Sequence, residues 1–252
     1  MVAKLDIPRA AMRLGDAQLG AAVMLLAEPD HPALADPATQ ASLAELESAG
    51  IVRDGKLEGF PARLLGVVAA PKLRIAVESF AGAETVLEQG WATEREGVWG
   101  SVASDGQLEL APIEPGLIPW AVARAVGLGP RETPEGPALA VTAEALGTAV
   151  GEVAEGDAER SQEALAELDP EARERLLALL RGRRVSWRAT STWTGQDGVQ
   201  RLTSVAVLDA GAEGLWLSHH EGETPDTIVH LEPAAPSAVW NRVIGLMPSP
   251  EG

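Results

Sequence analysis

The sequence predicts an α+β protein made of two pseudo-symmetric lobes, each an antiparallel β-meander flanked by helices. Three observations predict it. First, the second half repeats the first: Glu96-Gly97-Val98-Trp99-Gly100-Ser101 returns 117 residues later as Glu213-Gly214-Leu215-Trp216-Leu217-Ser218. Ile113-Glu114-Pro115, Arg124, Gly127-Leu128 and Pro130 likewise return 118 residues later as Leu231-Glu232-Pro233, Arg242, Gly245-Leu246 and Pro248. Second, strand-period alternation opens a meander in each copy: Leu73, Ile75 and Val77 in one, Val185, Trp187 and Ala189 in the other. Third, each copy carries an Asp-Pro helix start, Asp36-Pro37 and Asp169-Pro170, where proline at the first helical position loses no needed N–H. The lobes are expected at 1–130 and 138–252.

In chain order, Leu5-Asp6-Ile7 before Pro8 reads as a short extended segment entering a helix, like Leu139-Ala140-Val141 before Thr142. The Asp-Pro starts then open amphipathic helices. Their offset of 133 falls to 112 at the first strands, and 133 minus 112 leaves 21 residues found only in the first copy, roughly Gly50 to Ala70. Ser79-Phe80-Ala81-Gly82 and Thr192-Trp193-Thr194-Gly195 read as the first hairpin turns, glycine supplying positive φ. Strands follow at 84–93 and 200–208, then the two EGxWxS segments, then 107–113 and 227–231. Each copy closes with a helix from Pro115 or Pro233 to Gly127 or Gly245, glycine serving as the C-cap. Between the lobes, Gly129 to Pro137 is a stiff polar link. Gly156 to Gln162, all small or charged apart from its last residue, reads as flexible.

Charge and composition exclude several function classes. With 37 acidic against 20 basic residues the net charge is −17, a field that repels phosphate backbones and anionic headgroups. Neither nucleic acid nor a membrane is the expected partner. The chain has no cysteine, hence no disulfide framework, thiol nucleophile or zinc-thiolate site. Charged residues interrupt the N-terminus and the apolar run from Leu19 to Ala27 is too short to span a bilayer, so a soluble cytoplasmic chain is expected. Scarce lysine, present only at 4, 56 and 72, suits a high-GC bacterial genome.

Catalytic patterns are missing. The four histidines are His31, His219, His220 and His230. His219 and His220 are neighbours on a predicted strand and point to opposite faces, so a metal-dependent enzyme would need His230, with Glu221 or Asp226, to converge on one of them. The sequence shows no nucleophile elbow, phosphate-binding loop or dinucleotide fingerprint. The hairpin stretch Gly195-Gln196-Asp197-Gly198 does not open a helix, as a phosphate cradle would. The insertion, with Ala49-Gly50-Ile51-Val52-Arg53-Asp54-Gly55-Lys56-Leu57, has the helix, turn and hairpin outline of a winged helix. A DNA reader needs a basic helix, and the next segment holds only Arg63. A helix packed on the sheet through Phe60, Leu64, Leu65 and Val68 is the expected role. No cofactor is implied.

Aromatic residues say more. Seven tryptophans stand against two phenylalanines and no tyrosine. Trp99 and Trp216 align as repeated core anchors, and Trp120 and Trp240 fall on the closing helices, where they can seal the lobe interface. Phe80 and Trp193 lie at hairpin tips, where a ring either folds back or meets a partner.

The order of these features resembles the EspG family of type VII (ESX) secretion-associated proteins of actinobacteria. The resemblance rests on the strand entering a helix, the Ala49 to Leu57 turn followed by a Leu-rich helix, Pro71 leading into Leu73-Arg74-Ile75-Ala76-Val77, Arg181-Gly182-Arg183-Arg184 before a strand, and Asp209-Ala210-Gly211 before Gly214-Leu215-Trp216-Leu217. It spans nearly the whole chain. One departure is Val185-Ser186-Trp187-Arg188, where the family commonly has a G-Q-F-G type stretch. The resemblance implies a cytosolic chaperone or adaptor, without cofactor or turnover, that binds helical secretion substrates of the PE and PPE type and keeps them soluble for export. It directs attention to Phe80, Ala81, Trp193, Thr194 and Gln196, with the sheet between the two hairpins, as the partner surface. The oligomeric state is left open.

Overall fold

A computed structural model describes residues 3–82, 84–220, 224 and 227–248. In the first half, β1 (Lys4–Asp6) and β2 (Ala11–Leu14) lead into α1 (Asp16–Ala27), α2 (Pro37–Ser48), the small hairpin β3 (Val52–Arg53) and β4 (Lys56–Leu57), and α3 (Gly59–Ala69). The meander β5 (Leu73–Ala81), β6 (Glu84–Ala92), β7 (Gly97–Val102) and β8 (Leu108–Ile113) follows, closed by α4 (Ile118–Ala125). The second half runs β9 (Leu139–Thr142), α5 (Ala143–Glu155), α6 (Ala158–Ala164), α7 (Pro170–Gly182), the meander β10 (Val185–Thr194), β11 (Gln200–Asp209), β12 (Leu215–His220) and β13 (Ile228–Ala234), then α8 (Pro236–Ile244).

Local chemistry accounts for the boundaries. Asp36 accepts from the amides of Ala38 and Thr39, and Asp169 from those of Glu171 and Ala172, capping α2 and α7 as the Asp-Pro pairs require. Asp54 and Gly55, at φ 49° and 70°, form the two-residue turn between β3 and β4. Leu64, Leu65 and Val68 of α3 are buried, with Phe60 packed beside them. Gly127 takes φ 62° after α4, and the Leu128 amide donates back to the Ala123 carbonyl, a Schellman closure.

Two expectations change. The segment after Pro8 is a turn and a second strand, β2, before α1 begins. Residues 156–162, expected to be flexible, contain the start of α6: Gly156 ends α5 at φ 80°, Asp157 accepts from the Arg160 amide, and Ser161 is fully buried. A seven-residue helix that buries a serine has no apolar stripe to announce it.

The strands of both halves join one eleven-stranded antiparallel sheet in the order β1-β2-β8-β7-β6-β5-β10-β11-β12-β13-β9. The seam is β5 against β10, from Phe80 opposite Ser186 to Leu73 opposite Trp193. Each half's N-terminal strand returns to the last strand of its own meander, β2 on β8 and β9 on β13.

Three apolar clusters cover the two faces. On one face α4 and α8 cross the seam and seal Leu73, Ile75, Val77, Trp99, Trp187, Ala189, Val205 and Val207 beneath Ile118, Val122, Val239 and Val243. The rings of Trp120 and Trp240 meet between these helices, centroids 4.5 Å apart. On the opposite face, α1, α2 and α3 pack over Met12, Leu14, Trp91, Val98 and Leu110, while α5, α6 and α7 pack over Val141, Leu208, Trp216, Val229 and Leu231.

The two EGxWxS tryptophans therefore serve different clusters. Trp99 lies opposite Gly90 and faces α4 and α8; Trp216 lies opposite Leu208 and faces the second-half helices. Val98, fully buried, faces the side that Trp216 faces. Side chains alternate along a strand, so the one-residue difference between the 117 and 118 offsets flips the face.

Ser191 of β10 lies in the seam, fully buried on the α4 and α8 face, and its hydroxyl finds no partner. Ser191→Ala removes an unpaired polar group and is expected to stabilise the fold by about 0.5–1 kcal/mol, read as a higher midpoint in chemical denaturation.

Candidate functional site

The helical layers of the two halves leave the middle of their face uncovered. The open strip is the outward face of the four central strands: Arg74, Ala76, Glu78 and Phe80 of β5, Ser186, Arg188, Thr190 and Thr192 of β10, with Leu87 and Gln89 of β6 and Leu202 and Ser204 of β11. Eight residue pairs define the seam, a floor about 25 Å long at strand rise. It runs diagonally. At one end the row Thr85, Phe80, Ser186, Leu208 reaches under the second-half helices at Leu208; at the other, the row Trp91, Arg74, Thr192, Leu202 reaches under the first-half helices at Trp91.

Three apolar side chains stand out of this floor: Phe80 at 38%, Leu87 at 38% and Leu202 at 67% exposure. Between them, Arg188 donates from Nε and Nη2 to Glu78 Oε2 at 3.0 and 2.6 Å, directly across the seam. Only part of the guanidinium is used, and 57% of the side chain remains exposed.

At the Phe80 end the floor opens into a cavity of about 300 Å³ under the second-half helices. Its apolar walls are Leu146 and Val150 of α5, Leu180 of α7, and Leu208 and Leu231 of the sheet, with Phe80 and Arg188 at the strip side and His220 and Ser218 as its polar groups. Ser218 Oγ and His220 Nε2 are 3.4 Å apart. A cavity of this character accepts one or two apolar side chains.

The residues expected to bind a partner divide. Phe80 lies where the strip meets the cavity; Ala81, next to it at the end of β5, is exposed and alternates to the opposite face. Thr194 shares the Phe80 face but sits at the far end, and exposed Gln196 follows it in the turn. Trp193 is half-buried against the α4 and α8 cluster, on the other face and seven seam positions from Phe80, about 24 Å along the strand. The hairpin aromatics are thus off by one in register: Phe80 points to the strip and Trp193 away from it. The sequence reading missed Leu87, Leu202, Arg188 and the cavity walls; a leucine on the polar face of an alternating strand was the available signal for Leu202.

The histidines do not converge. His31 Nδ1 accepts from the Ala33 amide and caps a helical turn. His219 and His230 are cross-strand neighbours on the α8 face, with His219 3.5 Å from Glu232, while His220 points to the cavity on the other side. Glu221 and Asp226 lie outside the described residues. Among the described residues, no group of three or more His, Asp or Glu could hold a metal ion. In the winged-helix outline, Arg63, the one basic residue of α3, reaches Glu96 at 3.4 Å.

The model of the EspG family matches residues 8–244. The chain belongs to the EspG family. Among solved structures, the Mycobacterium tuberculosis type VII secretion system chaperone EspG5, in complex with a PE25-PPE41 dimer, shares its fold. The TM-score is 0.60 at 13% identity, over 94% of this chain and 97% of that one. A search of curated proteins returns no match. In this EspG chain, Val185-Ser186-Trp187-Arg188, the stretch that departs from the family pattern, opens β10. Trp187 is buried in the α4 and α8 cluster, whereas Ser186 and Arg188 face the cavity and the strip. Among the described residues no helix is long and apolar enough to cross a membrane.

Proposed function

We propose that this protein is a cytoplasmic chaperone of the EspG type that takes a helical PE/PPE-like secretion substrate on the open strip and keeps it soluble until export. The observation that carries the reading is the apolar cavity beside Phe80, at the end of an uncovered floor long enough for several turns of helix. Membership of the EspG family supports it, as does the fold shared with a chaperone bound to a PE25-PPE41 dimer. An apolar side chain at a substrate's tip fills the cavity. Leu87 and Leu202 provide further apolar contact, and Arg188 offers free donors to carbonyls that a helix end leaves unpaired. Phe80 bounds the cavity end of the strip, with Ala81 at the end of the same strand on the opposite face; Thr194 and Gln196 bound the other end. Trp193, turned to the opposite face, holds the hairpin to the core and supports Thr194 from behind.

Co-expression with a PE–PPE pair encoded in the same genome tests this. The wild-type chain is expected to recover the pair as a soluble complex. Phe80→Asp puts a charge at the cavity mouth on a 38% exposed side chain, and is expected to weaken the complex at least about tenfold. Leu202→Asp, at the opposite end, is expected to weaken it less. Equal recovery by wild type and both variants would remove the strip as the docking surface.

A further inference from the structure

Charge on the strip has the opposite sign to charge on the chain. The four central strands hold four acids, Glu78, Glu84, Glu88 and Asp209, and alternation turns all but Glu78 away from the strip. They hold three arginines and no lysine. Arg201 faces away and pairs with Asp197, whereas Arg74 and Arg188 stand on the strip. The floor therefore carries two positive charges and one negative, in a chain whose net charge is −17.

The two arginines differ in what they already hold. Arg188 is committed to Glu78, 2.6 Å from its Nη2. Arg74 is exposed, and its side chain makes no ion pair or hydrogen bond among the described residues. Four residues separate it from Glu78 along β5, about 13 Å at strand rise and beyond the reach of an ion pair. The floor between them is Ala76, Thr190, Gln89 and Ser204, all uncharged.

Acids elsewhere on the chain do not decide what docks here. The Debye length is about 8 Å at physiological salt, so a group resting on the floor responds to the floor's charges far more than to carboxylates behind the sheet. A cation laid on the strip meets two guanidiniums and one carboxylate that is already taken. An anion meets a guanidinium with all its side-chain donors free.

Taking the strip as the substrate site proposed above, we propose that Arg74 selects what docks there by pairing with an acidic side chain of the bound helix. Arg74 lies six residues from Phe80 on the same face of β5, about 20 Å at strand rise. A helix laid along the strand covers that distance in about 14 residues, close to four full turns, and so returns to the same side. The preferred substrate therefore carries Asp or Glu about 14 residues from the apolar side chain that fills the cavity. A helix with Lys or Arg at that place is rejected by like charge.

A charge swap tests this, with recovery of the co-expressed PE–PPE pair as the readout. Arg74→Glu is expected to recover the native pair at least about tenfold less well than the wild type, and Arg74→Lys to stay within about threefold. Replacing the substrate's acidic residue by Arg is expected to lower recovery by the wild type and to restore it with Arg74→Glu, which also shows that both altered chains fold. Native recovery that survives Arg74→Glu while Phe80→Asp abolishes it overturns the role of Arg74 alone; recovery that survives both overturns the strip as the docking surface. A loss that Arg74→Lys shares and the swapped substrate does not reverse makes Arg74 a contact of shape and overturns its selection by charge.

Discussion

Asp209→Ala is expected to destabilise the fold by about 3–5 kcal/mol, more than any substitution on the strip. Asp209 closes β11 with its side chain 4% exposed, and three groups use it. Its Oδ2 takes Arg131 Nη2 at 3.0 Å and lies 3.7 Å from Arg184 Nη1, while Oδ1 accepts from the Gly211 amide at 2.9 Å. Arg131 comes from the connection between α4 and β9 and is itself only 18% exposed, with Nε already unpaired. Removing the carboxylate leaves a largely buried cation uncompensated, which costs more than the pair contributes. The lost acceptor also frees the turn at Gly211. A second packing contact sits alongside: a Cβ on Gly214, which takes φ 79°, would approach the Glu132 carbonyl oxygen to 2.8 Å. Connection and sheet are therefore locked together there. Chemical denaturation reads the loss, and hydrogen exchange should localise its onset to residues 129–137. Converting both partners to apolar residues, Asp209→Leu with Arg131→Met, is expected to recover most of the stability; a double variant as weak as the single one would mean the carboxylate acts through the Gly211 turn instead.

The fold was legible where its chemistry is local. Asp36 and Asp169 cap helices through their own side chains, and the alternation of Leu73, Ile75 and Val77 follows from one buried face, so each is visible within a few residues. The meanders fall where the repeat places them, and the first closing helix is opened by a helical turn at Pro115; Pro233, expected to start the second, instead stays within β13, and α8 begins at Pro236. The seam of β5 on β10 was hidden because it joins residues more than a hundred positions apart, and no local pattern specifies which strands meet. Facing direction was hidden for a subtler reason. An alignment of Phe80 with Trp193, or Trp99 with Trp216, needs to err by only one residue to assign the wrong side. The candidate site suffered from both effects: its cavity is assembled from Phe80, α5, α7 and four strands of the second meander, and none of its walls is unusual alone.

Trp216→Ala is expected to cost about 3–5 kcal/mol, and Trp99→Ala a comparable amount, but the two should loosen different parts of the molecule. Trp216 is 2% exposed among Leu139, Val141, Leu176, Leu180 and Leu231, and its indole N–H donates to the Glu213 carbonyl at 3.0 Å. Its loss opens a void under α5 and α7, next to the proposed substrate cavity. Trp99 instead donates to Glu88 Oε2 at 2.6 Å and lies over Gly90, where a Cβ would come within 3.0 Å of the ring. Glycine at 90 is thus the space Trp99 occupies, and Gly100 gives Trp91 the same room on the other face, at 2.9 Å. Losing Trp99 exposes backbone beneath α4. Hydrogen exchange separates the cases: Trp216→Ala should deprotect α5 and α7, and Trp99→Ala should deprotect α4 and α8. Deprotection of the same helices by both would mean that the tryptophans share one core, contrary to their opposite faces. The functional consequence follows from the same geometry. Trp216→Ala should weaken substrate capture because the cavity wall moves, whereas Trp99→Ala should leave capture intact and disturb α4.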